Sequence, residues 1–391
     1  MTHQAAHLAD RMSEIQPFYV MELLARAKQL EAQGQSIIHM EIGEPDFATA
    51  DTIIAAGQQA LIDKRTHYTP ATGIDELKQA IADYYQSRFD LHVPIHRIVI
   101  TPGASGALHL ALAVILNPGD QVLMADPGYP CNRHFVRLLE AEAITLPVGA
   151  DSAYQLTAEL IQQHWSDRTV ATLLASPSKP TGTLIDQASM IELIQSVERN
   201  NGCLLVDEIY QGLVYSGDDY TALSLTDNAI VINSFSKFFG MTGWRLGWMV
   251  VPEAYLDAVD RLAQNIFLAP PTLSQYAALA AFSKPTLEIL EARRQEYQKR
   301  RDFLLPQLRK LGFDIPVDPQ GAFYIYADAS RYTSDSYSFV HQLLDSAGVA
   351  VTPGIDFGHY RANQHIRFAY TRPVEILSEG VKRMSEFLKN C

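Results

Sequence analysis

The chain has 391 residues, 47% of them hydrophobic, and a formal net charge of -13. That length predicts two domains, one of them large, with enough apolar content for sizeable cores. The charge excludes nucleic acid as the main partner, because a phosphate-reading surface needs a basic stripe that is not visible here. The cysteines Cys131, Cys203 and Cys391 are too few and too scattered for a disulfide framework or a four-cysteine zinc site. No apolar run reaches the length of a membrane span or a signal core, so a cytoplasmic protein with no membrane partner is expected.

In chain order, residues 5–33 predict a helical arm broken around Gln16-Pro17, with helix-period apolar positions in MELLARAKQLEAQG. IIHMEIGEPDF predicts a short strand entering a turn at Gly43, and helices over 51–63 and 74–88 flank HYTPATG, which contains Tyr68. From about residue 98, short apolar strands alternate with helices: RIVITPG, ASGALHLALAVIL, QVLMADPG, HFVRLLEAE, TVATLLASP, a helix over 186–198, GCLLVDEIY, AIVINSFSK and RLGWMVVPE. Such strands predict a largely parallel sheet covered on both faces, with functional residues at strand ends and in the loops that follow. A long charged helix over 286–311 leads to a smaller α+β unit holding GAFYIYAD, a helix over 335–346, VAVTPG, HIRFAY and a C-terminal helix. The expected division is an arm with a small-domain segment over 1–48, a large domain over 49–285 and a small domain over 286–391.

Asp207 ends an apolar strand, where a bare carboxylate is costly without a cationic partner. Tyr210 follows it, and Lys237 lies just past the next strand. A lysine amine forms Schiff bases with carbonyls, and a pyridine cofactor acting as electron sink requires such a lysine plus an acid for its ring nitrogen. In TPGASGAL, Gly103, Ala104, Ser105 and Gly106 open an apolar helix whose free N–H groups suit an anion. Ser234, Ser236 and Arg245 add hydroxyl and guanidinium donors. No glycine pattern matches a dinucleotide fingerprint or a P-loop.

Together, TPGASGAL, DPGYPCNRHF, SPSKPTG, VDEIY, SFSKFFGMTGWRLG and IRFAY resemble a class I/II aminotransferase of the fold-type I pyridoxal 5'-phosphate superfamily, to which aspartate aminotransferase belongs. The similarity runs over about residues 11–385. It implies an α/β large domain with a mostly parallel seven-stranded sheet sandwiched by helices, and a smaller α+β domain. It also implies ping-pong transfer of an amino group from an L-amino acid to a 2-oxo acid. In that resemblance Lys237 links to the cofactor and shuttles the proton, Asp207 holds the ring nitrogen protonated, and Tyr210 donates to the phenolic oxygen. Tyr129 stacks on the ring, while Ala104, Ser105, Ser234, Ser236 and Arg245 bind the phosphate. Tyr68 reaches the phosphate of a neighbouring subunit, which implies a homodimer with shared active sites. Arg367 grips the substrate carboxylate with help from the backbone near Gly43. The same cofactor also serves β-eliminating carbon–sulfur lyases and non-catalytic binding proteins, and these are the alternative readings.

One position departs from the family pattern: SPSKPTG has Lys179 where an asparagine normally bonds the cofactor and helps seat the substrate. Lys179 is expected to substitute electrostatically, lowering the pKa of the lysine–cofactor linkage, or to weaken activity. The side-chain pocket is expected near Ile15–Tyr19, residues 355–360 and a partner's 265–272 loop. IQPFYVM and NIFLAPP favour a neutral or aromatic substrate, and neither Arg261 nor Arg361 is well placed for a dicarboxylate. His39, His109 and His134 are expected to be packed or surface histidines, and Cys131 lacks a base that would make it a nucleophile.

Overall fold

The computed structural model describes residues 7–389, so Cys391 and the first two positions of the expected arm lie outside the described residues. Pro17 disfavours helix at Gln16, and the arm divides into a short 3-10 turn at Asp10–Ser13 and helix α1 (Tyr19–Ala32). Strand β1 (Ile38–His39) is followed by α2 (Asp51–Ile62) and α3 (Asp75–Phe89). Strands and helices then alternate: β2 (Ile98–Thr101), α4 (Gly103–Ile115), β3 (Gln121–Asp126), α5 (Pro130–Leu138), β4 (Glu142–Pro147), α6 (Ala158–His164) and β5 (Thr169–Ala175). Next come α7 (Gln187–Arg199), β6 (Cys203–Asp207), β7 (Ala229–Ser234), β8 (Gly247–Val250), α8 (Leu256–Ile266), α9 (Thr272–Leu279) and α10 (Lys284–Lys310). The last elements are β9 (Tyr324–Asp328), α11 (Ser336–Ala347), β10 (Val349–Ala350), β11 (Thr352–Pro353), β12 (His365–Ala369) and α12 (Val374–Leu388).

The large sheet has seven strands in the order β2-β8-β7-β6-β5-β3-β4. Pairings from β4 across to β7 are parallel, while β8 runs antiparallel to both β7 and β2. Every residue of β6 and β7 is buried, as helices on both faces require. The fold is therefore mixed α/β with a mostly parallel seven-stranded sheet, as expected. Two elements escape a reading of apolar runs. Strand β4 is an edge strand with only one fully buried residue, and α6 is a seven-residue helix capped by Thr157.

The reversed strand has a geometric consequence. Because β8 is antiparallel, its N-terminal end lies at the edge where β2, β6 and β7 present their C-terminal ends. Gly247 pairs there with both Thr101 and Ser234. Residues just before β8 thus join the loops after the parallel strands. Beneath that edge the Trp248 indole donates to Tyr85 Oη at 3.2 Å within a fully buried aromatic cluster.

Beyond α10, the antiparallel sheet β11-β12-β9 packs with α11, and α12 packs on α10, α11, β1 and β10. Strand β1 pairs in parallel with β10, which ties the N-terminal segment to this C-terminal unit.

Candidate active site

The C-terminal edge of the large sheet opens into a cavity of about 140 Å³. Asp207, at the end of β6, is 3% exposed and accepts a hydrogen bond at Oδ1 from the Ile209 N–H at 3.0 Å. Burial raises its carboxyl to about 6, outweighing that hydrogen bond and the charges of Lys179 and Lys237. Lys237 follows β7 and donates from Nζ to the Gly43 carbonyl at 2.8 Å. Burial lowers its amine to about 8; Glu44 is the strongest opposing influence, and Arg245 and Arg367 add to the fall. A lysine near neutrality and an under-partnered carboxylate thus face one space.

One wall of that space is an anion cradle. Helix α4 starts at Gly103 after Pro102, with no side-chain cap, so its first N–H groups have no intrahelical acceptor. Ala104, Ser105, Ser234, Ser236 and Arg245 line the same cavity. Gly103 has φ +73°, and a Cβ there would come within 2.6 Å of Arg245 Nη2, so glycine both permits the turn and lets the guanidinium approach. Arg245 itself adopts φ +53° and donates from Nη1 to Thr242 O at 3.0 Å.

The opposite wall carries Tyr129, Tyr210 and Lys179. Tyr210 Oη lies 2.7 Å from Tyr324 Oη, and burial holds its phenol well above the usual tyrosine range. Gly43 is close by, since a Cβ there would meet Tyr324 Oη at 2.2 Å. The Lys179 ammonium lies 4.3 Å from the Tyr129 ring centroid. Burial, then Arg367 and Lys237, hold it well below the usual lysine range.

Arg367 projects from β12, where its Cζ is 4.5 Å from the Tyr324 ring centroid. Its Nη2 donates to Glu41 O and to Thr352 Oγ1, while buried Nε has no hydrogen-bond partner among the described residues. An unsatisfied buried guanidinium nitrogen is costly and suits an incoming carboxylate. Most of the expected residues line one cavity; Gly43 and Arg367 do not line it and adjoin it through Lys237 and Tyr324, and Tyr68 is 82% exposed and lies outside it on this chain.

The family model described as aminotransferase class I and II matches residues 35–384. The chain belongs to the class I and II aminotransferases. The (5-formylfuran-3-yl)methyl phosphate transaminase of Methanocaldococcus jannaschii is 38% identical over 384 residues, covering 97% of this chain and 99% of that protein. The valine–pyruvate aminotransferase of Mycobacterium tuberculosis is 37% identical, covering 96% and 97%. Among solved structures, an aminotransferase from Mycobacterium tuberculosis superposes with a TM-score of 0.96 at 36% identity, covering 99% of this chain and all of that one.

For an aminotransferase of this class, the family implies pyridoxal 5'-phosphate, and the residues present fit that group. The cradle suits its phosphate, buried Asp207 suits a ring cation, and Lys237 suits a carbonyl. Two residues that border these spaces, Tyr324 and Arg133, were not singled out from the sequence. Tyr324 reads there only as one aromatic of a buried strand. Arg133 reads as one of several basic residues in a helix, and only the packing of α5 against residues 355–359 shows that it lines a cleft.

Proposed function

We propose that this aminotransferase moves the amino group of an L-amino acid to a 2-oxo acid using pyridoxal 5'-phosphate. The observation that carries this reading is the shared cavity of Lys237, Asp207 and the α4 anion cradle. When bound, the cofactor supplies an aldehyde to take up the amino group and a ring that withdraws electrons from the substrate Cα. Lys237, with its amine at about 8, takes and returns the Cα proton at near-neutral pH. Asp207 holds a proton at the ring nitrogen, an arrangement that returns a cation partner to a carboxylate now raised by burial. Tyr210 stays a phenol and so remains a donor.

Arg367 orients the substrate by its carboxylate, and this orientation selects the Cα–H bond for cleavage. Lys179 takes the place of the family asparagine. It donates no hydrogen bond among the described residues, and burial, then Arg367 and Lys237, disfavour charge on its amine. Phe18 and Tyr19 wall the approach to the site, in keeping with a neutral or aromatic substrate body. A second copy of the chain completes the phosphate site through Tyr68, whose exposure on one chain leaves it free for a neighbour.

Rapid-mixing absorbance of the holoenzyme with single L-amino acids, followed by 2-oxo acids, tests this reading. The expected result is loss of the lysine–cofactor band, restored by an oxo acid with an equivalent of new amino acid. Accumulation of pyruvate and ammonia with a persistent band would instead indicate β-elimination.

A further inference from the structure

Outside the cofactor cavity lies a second cleft of about 350 Å³, between α5, the segment before α1 and residues 355–363. The two spaces adjoin: Lys179 Nζ lies 4.3 Å from the ring centroid of Tyr129, on the inner cavity, and 5.6 Å from that of Phe18, on the outer cleft. Arg133 lines the outer cleft. It sits one helical turn after Tyr129, the residue preceding α5, and helix geometry tilts its side chain back toward the N-terminus.

Neighbouring arginines differ from Arg133 in one respect. Arg137 is held by Glu14 and Glu140, and Arg11 by Glu140. Arg133 has no ion pair among the described residues, and its one hydrogen bond is a 3.5 Å contact from Nη2 to Asp356 O. The two nearby carboxylates, Asp126 and Asp356, oppose the loss of charge on Arg133 but form no ion pair with it among the described residues, and Asp356 Oδ2 is buried without a hydrogen-bond partner there. Both Asp126 oxygens accept backbone N–H groups of His359 and Tyr360. Asp356 Oδ1 accepts from Tyr19 N, and the cations acting on Asp356 most strongly are Arg367 and Lys179. Burial lowers the Arg133 guanidinium, outweighing the opposing charges of Asp126 and Asp356.

We propose that Arg133 makes the outer cleft a receptor for a carboxylate or phosphate at the far end of the substrate's side chain. The aromatic wall at Phe18 and Tyr19 contacts the apolar or aromatic body between that anion and the amino acid head. The guanidinium fork matches either oxyanion bidentately. This assignment rests on the amino-transfer reading for the position of the substrate head.

Calorimetry on the holoenzyme tests it with amine-free acids that cannot react: 3-phenylpropanoate, its 4-carboxy derivative and its 4-phosphonooxy derivative. The expected result is about 10- to 100-fold tighter binding of an anion-ended acid, with the preferred member distinguishing carboxylate from phosphate. Arg133→Gln abolishes that preference, and Arg133→Lys, which keeps the charge but not the fork, retains part of it. Equal binding of all three acids by the wild type, or a preference undiminished in Arg133→Gln, overturns the proposal. If Arg133→Gln does not fold, the wild-type preference and its reduction in Arg133→Lys decide. Turnover is read separately with phenylalanine and 4-carboxyphenylalanine. No amino transfer from any donor, with the binding preference intact, counts against the amino-transfer reading while upholding the anion site.

Discussion

Lys237 and Lys179 are two half-buried lysines that face one cavity with different sequence histories: one sits in a motif, the other departs from one. Replacing Lys237 by alanine is expected to lower the single-turnover rate by about 10²- to 10⁴-fold, the range of a positioned acid–base group, with the fold retained. A rate within tenfold of wild type would sink its role. Lys179 makes a prediction about stability. Its folded pKa lies below its unfolded value, so the unfolded chain binds the proton more readily. The resulting cost is absent above the unfolded pKa, grows as pH falls below it, and levels off beneath the folded pKa. Lys179→Asn removes that cost. Its melting temperature should exceed that of the wild type by more at pH 7 than at pH 9, with up to about 1.4 kcal/mol of added difference per pH unit. Parallel stability curves for the two proteins would count against it. At this scale the sequence was legible where chemistry demanded a rare residue at a strand end, as at Asp207 and Lys237. It was silent on Arg133, because an arginine in an amphipathic helix has no mark distinguishing a cleft from solvent until the opposing loop is in place.

At the scale of elements, the edge of the sheet depends on close approach between α4 and the loop before β8. Gly103→Ala adds a methyl group 2.6 Å from Arg245 Nη2 at a backbone with φ +73°. The expected cost is about 1–2 kcal/mol from conformation alone, together with weaker binding of pyridoxal 5'-phosphate, read by thermal unfolding with and without the cofactor. Unchanged cofactor affinity would detach the glycine from the anion cradle. The buried strands were legible because burial on both faces forces unbroken apolar runs, as in CLLVD and AIVINS. Strand β4 was not, since an edge position relaxes that demand. The reversal of β8 was equally hidden: its apolar run GWMV reads the same in either direction, and only its pairing with β7 and β2 sets the orientation.

For the whole molecule, Tyr68, on the α2–α3 connection, is 82% exposed; Leu61 and Ile62 in the last turn of α2 and Leu268 are exposed apolar side chains as well. If a neighbouring subunit uses Tyr68, complementation follows. Mixed Tyr68→Ala and Lys237→Ala chains, unfolded and refolded together, should regain activity that neither has alone, because each mixed dimer holds one intact site. Additive residual activities would exclude a shared site. From the sequence, a role for Tyr68 across subunits came only through the family resemblance, since exposure has meaning only once the fold shows which surface remains uncovered.

The short peptide from Glu41 to Gly43 leaves β1, which is paired to β10, and touches both working cations. Its Glu41 carbonyl accepts from Arg367, and its Gly43 carbonyl accepts from Lys237. It acts as a yoke. A rotation of the C-terminal unit that carries Arg367 toward a substrate would carry the same peptide with it, drawing the Gly43 carbonyl off the lysine. The clasping of one end of the substrate and the unlatching of the amine would then be a single mechanical stroke, timed by a tether of three residues.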